Sequence, residues 1–191
     1  MPIRAPWNDR LAEPLAKEHL VHLYEDAVVL VEGVALYAGR GLGKGEAAIL
    51  IATAEHLAAI ERRLVDAGLE TSDLKAWGQL VCIDAAPLLA RFLDQDGIDT
   101  GRFHSILGDL VGSVRRGGRF SKVRLYGEMV NLLWRHDHPA TRRLEELWNE
   151  AIEVHSVSLL CGYRVEGGGE RAIPFDLQAL HSHLIPLEAG A

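Results

Sequence analysis

Four closely spaced glycines surround Lys44 in the stretch AGRGLGKGEAAILIATAEH, residues 38–56. A phosphate-binding loop has the pattern G-x-x-x-x-G-K-[ST] and lies between a strand and the following helix. Ala38 stands where the first glycine belongs, and Gly45 replaces the hydroxyl that binds Mg²⁺. The glycines also precede an aliphatic run that is typical of a buried strand. The pattern therefore predicts a glycine-rich turn, and no G-x-G-x-x-G dinucleotide motif fits it.

Two carboxylates follow hydrophobic runs, where acid–base or metal chemistry is often found. Asp84 ends the run LVCID, as a metal-binding aspartate would, or it caps the helix that follows. Glu128 follows the run VRLYG. Three roles are expected for its carboxylate. It binds a ligand, it pairs with an arginine, or it lies in the first turn of the next helix, where the helix dipole favours a negative charge. No G-x-S-x-G nucleophile motif is present, so the sequence gives no support for catalysis and predicts no catalytic residues.

The nine histidines suggest a metal site only weakly. Metal sites need three or four converging ligands. His181 and His183 are two residues apart on a predicted helix, so they are expected to lie on different faces. A site that combines His19, His22 and His181 is the one candidate, but nothing in the sequence shows that they meet. We therefore predict no firm metal and no firm cofactor.

Short apolar runs alternate with helical patterns along the chain. The runs that predict strands are 19–24, 46–53, 79–85, 122–128 and 156–165. Helical spacing of apolar residues fills the intervals, and a last short helix is predicted over 175–184. This alternation predicts an α/β fold, a three-layer sandwich around a mostly parallel sheet. Residues 1–17 are predicted to be a flexible leader, and 18–188 a single domain.

Ligands of open parallel sheets bind beyond the carboxyl ends of the strands. Polar or aromatic residues occupy the predicted ends at 53–56, at Asp84, at 126–128 and at 161–163. These stretches are expected to converge on one crevice.

Composition limits the partners and the location of the protein. The 191 residues are 48 % hydrophobic and 25 % charged, which is ordinary for a globular protein. A net charge of −7 argues against direct nucleic-acid binding by the bulk of the chain.

Cys82 and Cys161 lie in hydrophobic runs and are expected to be buried thiols. With no signal peptide and no apolar run long enough for a bilayer, we expect a cytoplasmic protein without membrane contact.

Several motifs occur in an order that resembles a known family. They are HLVHLYED, GLGKGEAAILIAT with His56, CIDA, VRLYGEMVNLLW, LEELWNEAIEVHSVSLLCGY and HSHLIP. They resemble the MEDS domain, the sensory domain of methanogens, methylotrophs and the regulator DcmR. The likeness runs from about His19 to about Pro186.

The resemblance implies a KaiC/RecA-like α/β fold without a phosphate-binding loop. In such proteins a G-L-x-x-G turn precedes the first core strand, and here IATAEH stands in the place of the loop. The resemblance implies sensing of small molecules, including hydrocarbon derivatives, often in chains that also contain DNA-binding or histidine-kinase modules. We expect no such module within these 191 residues. The family's recurrent polar residues fall on His19, Tyr24, Glu46, His56, Asp84, Tyr126, Glu128 and Trp148. Of these, Glu46 is also explained as part of the turn and Trp148 as core.

Three functions follow as hypotheses. The first is a bacterial ligand-sensing domain that is not an enzyme. It would bind a small, largely apolar molecule through His19, Tyr24, His56, Asp84, Tyr126 and Glu128. It would act in signal transduction or transcription control through a signalling protein partner or a change of homo-oligomer. The second is a ligand-free adaptor for a kinase or an anti-sigma system. The third is a residual nucleotide-binding enzyme.

Overall fold

The computed structural model describes residues 6–166 and 173–185, and a six-stranded sheet lies at its centre. The strands are β1 (His19–Tyr24), β2 (Ala47–Ala52), β3 (Leu80–Asp84), β6 (Val123–Gly127), β7 (Ser158–Arg164) and β8 (His183–Ile185). Their order is β3-β2-β6-β7-β1-β8, and all neighbours run parallel. A parallel sheet is covered on both faces, which explains why β1, β2 and β6 are buried along their whole length.

Helices cover both faces of the sheet. One hydrophobic cluster contains residues of α1 (Pro6–Ala12), α2 (Ala27–Gly43), α3 (Ala54–Asp66) and α4 (Thr71–Ala76). The other contains residues of α5 (Ala85–Leu89), α6 (Thr100–Arg115), α7 (Met129–Leu133), α8 (His138–His155) and α9 (Phe175–Gln178). The predicted three-layer α/β sandwich is confirmed. Within the two described ranges, no helix is both long enough and apolar enough to cross a membrane.

Short polar connections join the strands to the helices of the first layer. The Asp26 carboxylate accepts the Val28 N–H at 2.8 Å and caps α2. The Thr53 hydroxyl accepts the His56 N–H at 3.4 Å and caps α3. On the entry side of β2, Gly45 has a φ of +79° and forms the predicted turn. The other three glycines of the stretch, Gly39, Gly41 and Gly43, instead lie within α2.

The structure differs from the sequence prediction in three places. The helix predicted over 175–184 ends at Gln178, and His183–Ile185 is instead the edge strand β8, parallel to β1. The helix predicted after Asp84 ends at Leu89. It is followed by a two-strand hairpin of β4 (Leu93–Asp94) and β5 (Gly97–Ile98). Within the predicted leader, residues 6–12 form α1, which buries Leu11 against α2.

Candidate functional site

Glu128 follows β6, one of the two central strands, and its side chain is only 1 % exposed. Its Oε1 lies 2.7 Å from Nδ1 of His56 and accepts the hydroxyl of Tyr24 at 3.3 Å. Its Oε2 accepts the backbone N–H of Thr53 at 3.0 Å. Tyr24 ends β1 and Thr53 follows β2. A single buried carboxylate therefore joins the carboxyl ends of three strands.

Asn131 extends this network to a fourth strand. Its Nδ2 donates to the Tyr24 hydroxyl at 3.3 Å, and its Oδ1 accepts the backbone N–H of Arg164 in β7 at 2.8 Å. The Tyr24 hydroxyl both donates and accepts, which fixes its orientation. We call Tyr24, Thr53, His56, Glu128 and Asn131 the Glu128 cluster. The sequence did not predict Asn131, although its position three residues after Glu128 places it on the same side of a helical turn.

The hydrogen bond to Glu128 raises the pKa of His56 above its ordinary value, against the opposing effect of partial burial. For Tyr24, burial and then the charge of Glu128 raise the pKa. A histidine with a raised pKa stabilises the folded state most below its unfolded pKa of about 6.5. This stabilisation is lost as the pH rises through the folded pKa. The His56–Glu128 pair is therefore a proton-dependent link between α3 and the sheet.

We expect the Glu128→Gln variant to lower the pKa of His56 to or below the ordinary value of a histidine. Glutamine keeps the shape of the side chain but removes the charge that favours the imidazolium. A pH titration of the His56 ring resonances by NMR measures this change. The matched control is Glu55→Gln, which removes the weaker charge of an exposed neighbour and should lower the pKa less. An unchanged His56 pKa in E128Q would contradict the assigned pairing.

His56 also faces a surface cleft of about 280 Å³ between α2 and α3. Its side chain is 17 % exposed, so it connects this cleft with the buried carboxylate. The apolar lining consists of Ala27, Val28, Val31 and Ala59, and charged residues including Glu32 and Arg63 complete it. A larger groove of about 690 Å³ runs along α2 and also contains Glu32 and Arg63. No residue of the Glu128 cluster lines that groove, so the smaller cleft is the better candidate.

Three of the predicted ligand residues lie outside the Glu128 cluster. Tyr126 is buried in β6, and its hydroxyl has no hydrogen-bond partner among the described residues. Asp84 is exposed at the end of β3, where its carboxylate caps α5 by accepting the Ala86 N–H at 3.1 Å. His19 begins β1, whereas Tyr24 ends it. Of the stretches expected to converge, the structure joins Thr53 and His56 to Glu128. Asp84 instead caps α5, and Cys161 and Tyr163 pack in the hydrophobic cluster on the other face of the sheet.

The structure brings His19 and His181 together on the α8 side of the sheet, with ring centroids 4.2 Å apart. Ligand atoms of His19, Glu145, Cys161 and His181 all lie within 4.8 Å of one another. We call these four residues the His19 cluster. The candidate site in which His22 joins them is not formed. Successive residues of a strand point to opposite faces, and His22, three residues after His19, packs against Gly33 of α2.

The sequence did not predict Glu145 and Cys161 as members of this cluster. A signal for Glu145 was available, because it lies three residues before Trp148 and seven before Ile152 on the buried stripe of α8. A charged residue at such a position needs a partner.

A comparison with family models places the chain. The model described as MEthanogen/methylotroph, DcmR Sensory domain, abbreviated MEDS, matches residues 18–181. The chain belongs to the MEDS family. A search of curated proteins found no match. Both the Glu128 cluster and the His19 cluster lie within the matched residues of the MEDS domain, with His181 as the last of them.

Proposed function

We propose that this MEDS domain senses a small, largely apolar molecule that carries one hydrogen-bonding group, and that it does not convert the molecule. The observation that carries this proposal is the position of His56. His56 lines the cleft between α2 and α3, and its Nδ1 also forms a hydrogen bond of 2.7 Å with Oε1 of the buried Glu128. A ligand that contacts His56 therefore acts directly on a carboxylate that joins three strands.

The chemistry of the cleft supports this class of ligand. Valine and alanine side chains supply the apolar walls, and His56 supplies one polar group at the inner end. Apolar walls combined with polar groups that fix the orientation of the ligand are the usual arrangement of a small-molecule site. Charged side chains, including Glu32 and Arg63, also line this cleft. A ligand hydroxyl, carbonyl or carboxylate would bond the imidazole and weaken its bond to Glu128.

Such competition gives the domain a means of response. Ligand binding shifts a conformational equilibrium only by its difference in affinity for the two states. Weakening of the His56–Glu128 bond would favour a state in which the start of α3 is less firmly held. We propose that a signalling protein partner, or a second copy of this chain, reads the position of α2 and α3 in transcription control or another bacterial signalling pathway.

The connection from β2 to α3 is a single residue, Thr53. A phosphate-binding loop needs several residues whose N–H groups surround the phosphates. This short connection therefore favours ligand sensing over the residual nucleotide-binding enzyme. A ligand-free adaptor remains the alternative that the following experiment distinguishes.

The experiment is an NMR titration of the ¹⁵N- and ¹³C-methyl-labelled chain with small alcohols, ketones, amides and carboxylic acids. We expect at least one compound to shift the resonances of Val28, Val31 and Ala59 in a saturable manner. The His56→Leu substitution should weaken the binding of this compound by at least about tenfold, equivalent to about 1.4 kcal/mol. The ligand's own spectrum should remain unchanged after prolonged incubation.

The matched control is His104→Leu. His104 in α6 is also a partly exposed histidine bonded to a glutamate, with its Nε2 3.0 Å from Glu150 Oε2, but it lies on the opposite layer. This control should bind the compound as the wild type does. No saturable shifts across the panel would support the adaptor hypothesis, and loss of the added compound would support an enzyme.

A further inference from the structure

The His19 cluster has the donor atoms and the spacing of a metal site. Nε2 of His19 lies 3.2 Å from Sγ of Cys161 and 3.3 Å from Oε2 of Glu145. Nε2 of His181 lies 3.2 Å from Oε1 of Glu145, and Cys161 Sγ lies 3.7 Å from Oε2. Ligands bonded to one tetrahedral Zn²⁺ ion at about 2.1 Å are separated by about 3.4 Å. Four of the six donor pairs therefore lie close to this separation, with one or the other oxygen of Glu145, and all four ligand atoms lie within 4.8 Å of one another.

Hydrogen bonds on the far side of each ring fix both imidazoles. Nδ1 of His181 lies 2.8 Å from the carbonyl oxygen of Leu177, which can only accept a hydrogen bond. Nδ1 of His19 lies 3.0 Å from Oδ1 of Asn149, whose amide nitrogen in turn donates to the Leu180 carbonyl. In the neutral rings, each Nδ1 therefore carries the proton and each Nε2 presents a lone pair to the cluster. Metal-binding histidines typically have this arrangement.

The cluster contains a fully buried carboxylate that needs a positive charge. The Glu145 side chain is 0 % exposed. It accepts the Tyr163 hydroxyl, but among the described residues no lysine or arginine forms an ion pair with it. Nε2 of His181 is also buried and has no hydrogen-bond partner in the described part of the chain, although it faces Oε1. A cation between these atoms would satisfy both the lone pair and the carboxylate.

We infer that the His19 cluster binds one divalent transition-metal ion of the Zn²⁺ class through His19, Glu145, Cys161 and His181. Two imidazole nitrogens, a thiolate and a carboxylate suit borderline ions such as Zn²⁺ or Co²⁺ better than Mg²⁺ or Ca²⁺. Binding releases the thiol proton of Cys161, so the ion is held by two negative charges and two neutral rings. The inference does not depend on the ligand proposed for the cleft, which lies on the other face of the sheet.

The metal ion would stabilise the attachment of the edge strand β8 to the sheet. Cys161 belongs to β7, His19 to β1 and Glu145 to α8, whereas His181 lies between α9 and the edge strand β8. β8 has only three residues and pairs with β1 alone. Metal coordination by His181 would therefore hold this short strand against β1, and metal loss would loosen the segment 173–185.

The test uses the full chain under oxygen-free, reducing conditions. The protein is unfolded with a chelator, refolded without metal, and titrated with Co²⁺ and then with competing Zn²⁺. We expect one ion per chain by elemental analysis and a near-ultraviolet absorption from thiolate-to-Co²⁺ charge transfer. Cys161→Ser should abolish this absorption and weaken Co²⁺ binding by at least about tenfold. His181→Gln should weaken binding while retaining the thiolate absorption.

The matched control is Cys82→Ser, which removes the other thiol, a half-buried group in β3. It should retain both the absorption and the affinity, and near-ultraviolet circular dichroism checks that each variant is folded. If Cys161→Ser does not fold, Co²⁺ binding by the wild type and its weakening in His181→Gln still test the inference. Wild-type protein that takes up neither ion when refolded in its presence would overturn the inference. So would an absorption that is lost in Cys82→Ser.

Discussion

Replacing Arg124 with methionine is expected to lower the free energy of unfolding by about 3–5 kcal/mol. Arg124 is 3 % exposed and lies in β6, near the amino ends of the strands. Its Nε donates to Oε2 of Glu46 at 2.6 Å. Its Nη1 donates to the carbonyl oxygens of Ala12 and Tyr37 at 3.0 and 2.8 Å. Methionine fills similar space but has no donor, so it leaves a largely buried carboxylate and two carbonyls without their partner.

The control for this prediction is Lys122→Met. Lys122 also approaches Glu46, at 3.9 Å, but its side chain is 77 % exposed. Exposed ion pairs contribute about 0–1 kcal/mol, so this variant should unfold almost as the wild type does. Guanidinium unfolding at pH 7 measures both variants. An Arg124→Met loss as small as that of Lys122→Met would show that the buried guanidinium is not what joins α1 and α2 to β6.

The sequence predicted the strands best where apolar runs are long and flanked by polar turns. The runs around Ile49 and Leu125 are fully buried interior strands of the sheet, and their β-branched and aliphatic composition marks them clearly. The edge strand β8 has three residues and only one neighbour. Its pairing with β1 depends on contacts between residues that are more than 160 positions apart. Local periodicity contains no information about such a contact, so the sequence predicts this segment as part of a helix.

The two clusters differ in how far the sequence could predict them. The Glu128 cluster lies at carboxyl ends of parallel strands, so a correct set of strands already brings Tyr24, Thr53 and Glu128 to one edge. The His19 cluster combines a strand start, a strand centre, a helix face and a loop. Its assembly depends on the register between β1 and β7, where Val21 lies opposite Cys161. A single sequence does not determine that register.

Acid is expected to destabilise the protein through His22, which is fully buried in β1 on the α2 side. Neither ring nitrogen has a hydrogen-bond partner among the described residues. A Cβ atom at Gly33 would overlap the ring, and the Trp7 ring centroid lies 6.4 Å away. With no partner to stabilise the imidazolium, burial lowers the pKa of His22 to about 4.

The direction of the pH effect follows from the two pKa values. Unfolded histidine has a pKa of about 6.5, so between about pH 6.5 and 4 the unfolded chain binds a proton that folded His22 does not. The contribution of neutral His22 to the free energy of unfolding is complete above the pKa of unfolded histidine. It is lost as the pH falls toward the pKa of folded His22. Each pH unit in this window lowers the free energy of unfolding by up to about 1.4 kcal/mol. The total loss assigned to His22 is about 3 kcal/mol.

The variant His22→Leu is expected to lose this part of the acid sensitivity. Leucine has a similar size and no titrating group, and it removes two unpaired nitrogens, so stability at pH 7 should be equal or higher. Urea unfolding at pH 7, 6, 5 and 4 measures the difference between wild type and variant. Parallel pH profiles of the wild type and the variant would contradict the prediction.

Burial also lowers the pKa of His19. The acid sensitivity that remains in His22→Leu therefore includes the contribution of His19 and, with metal bound, the competition between protons and the ion.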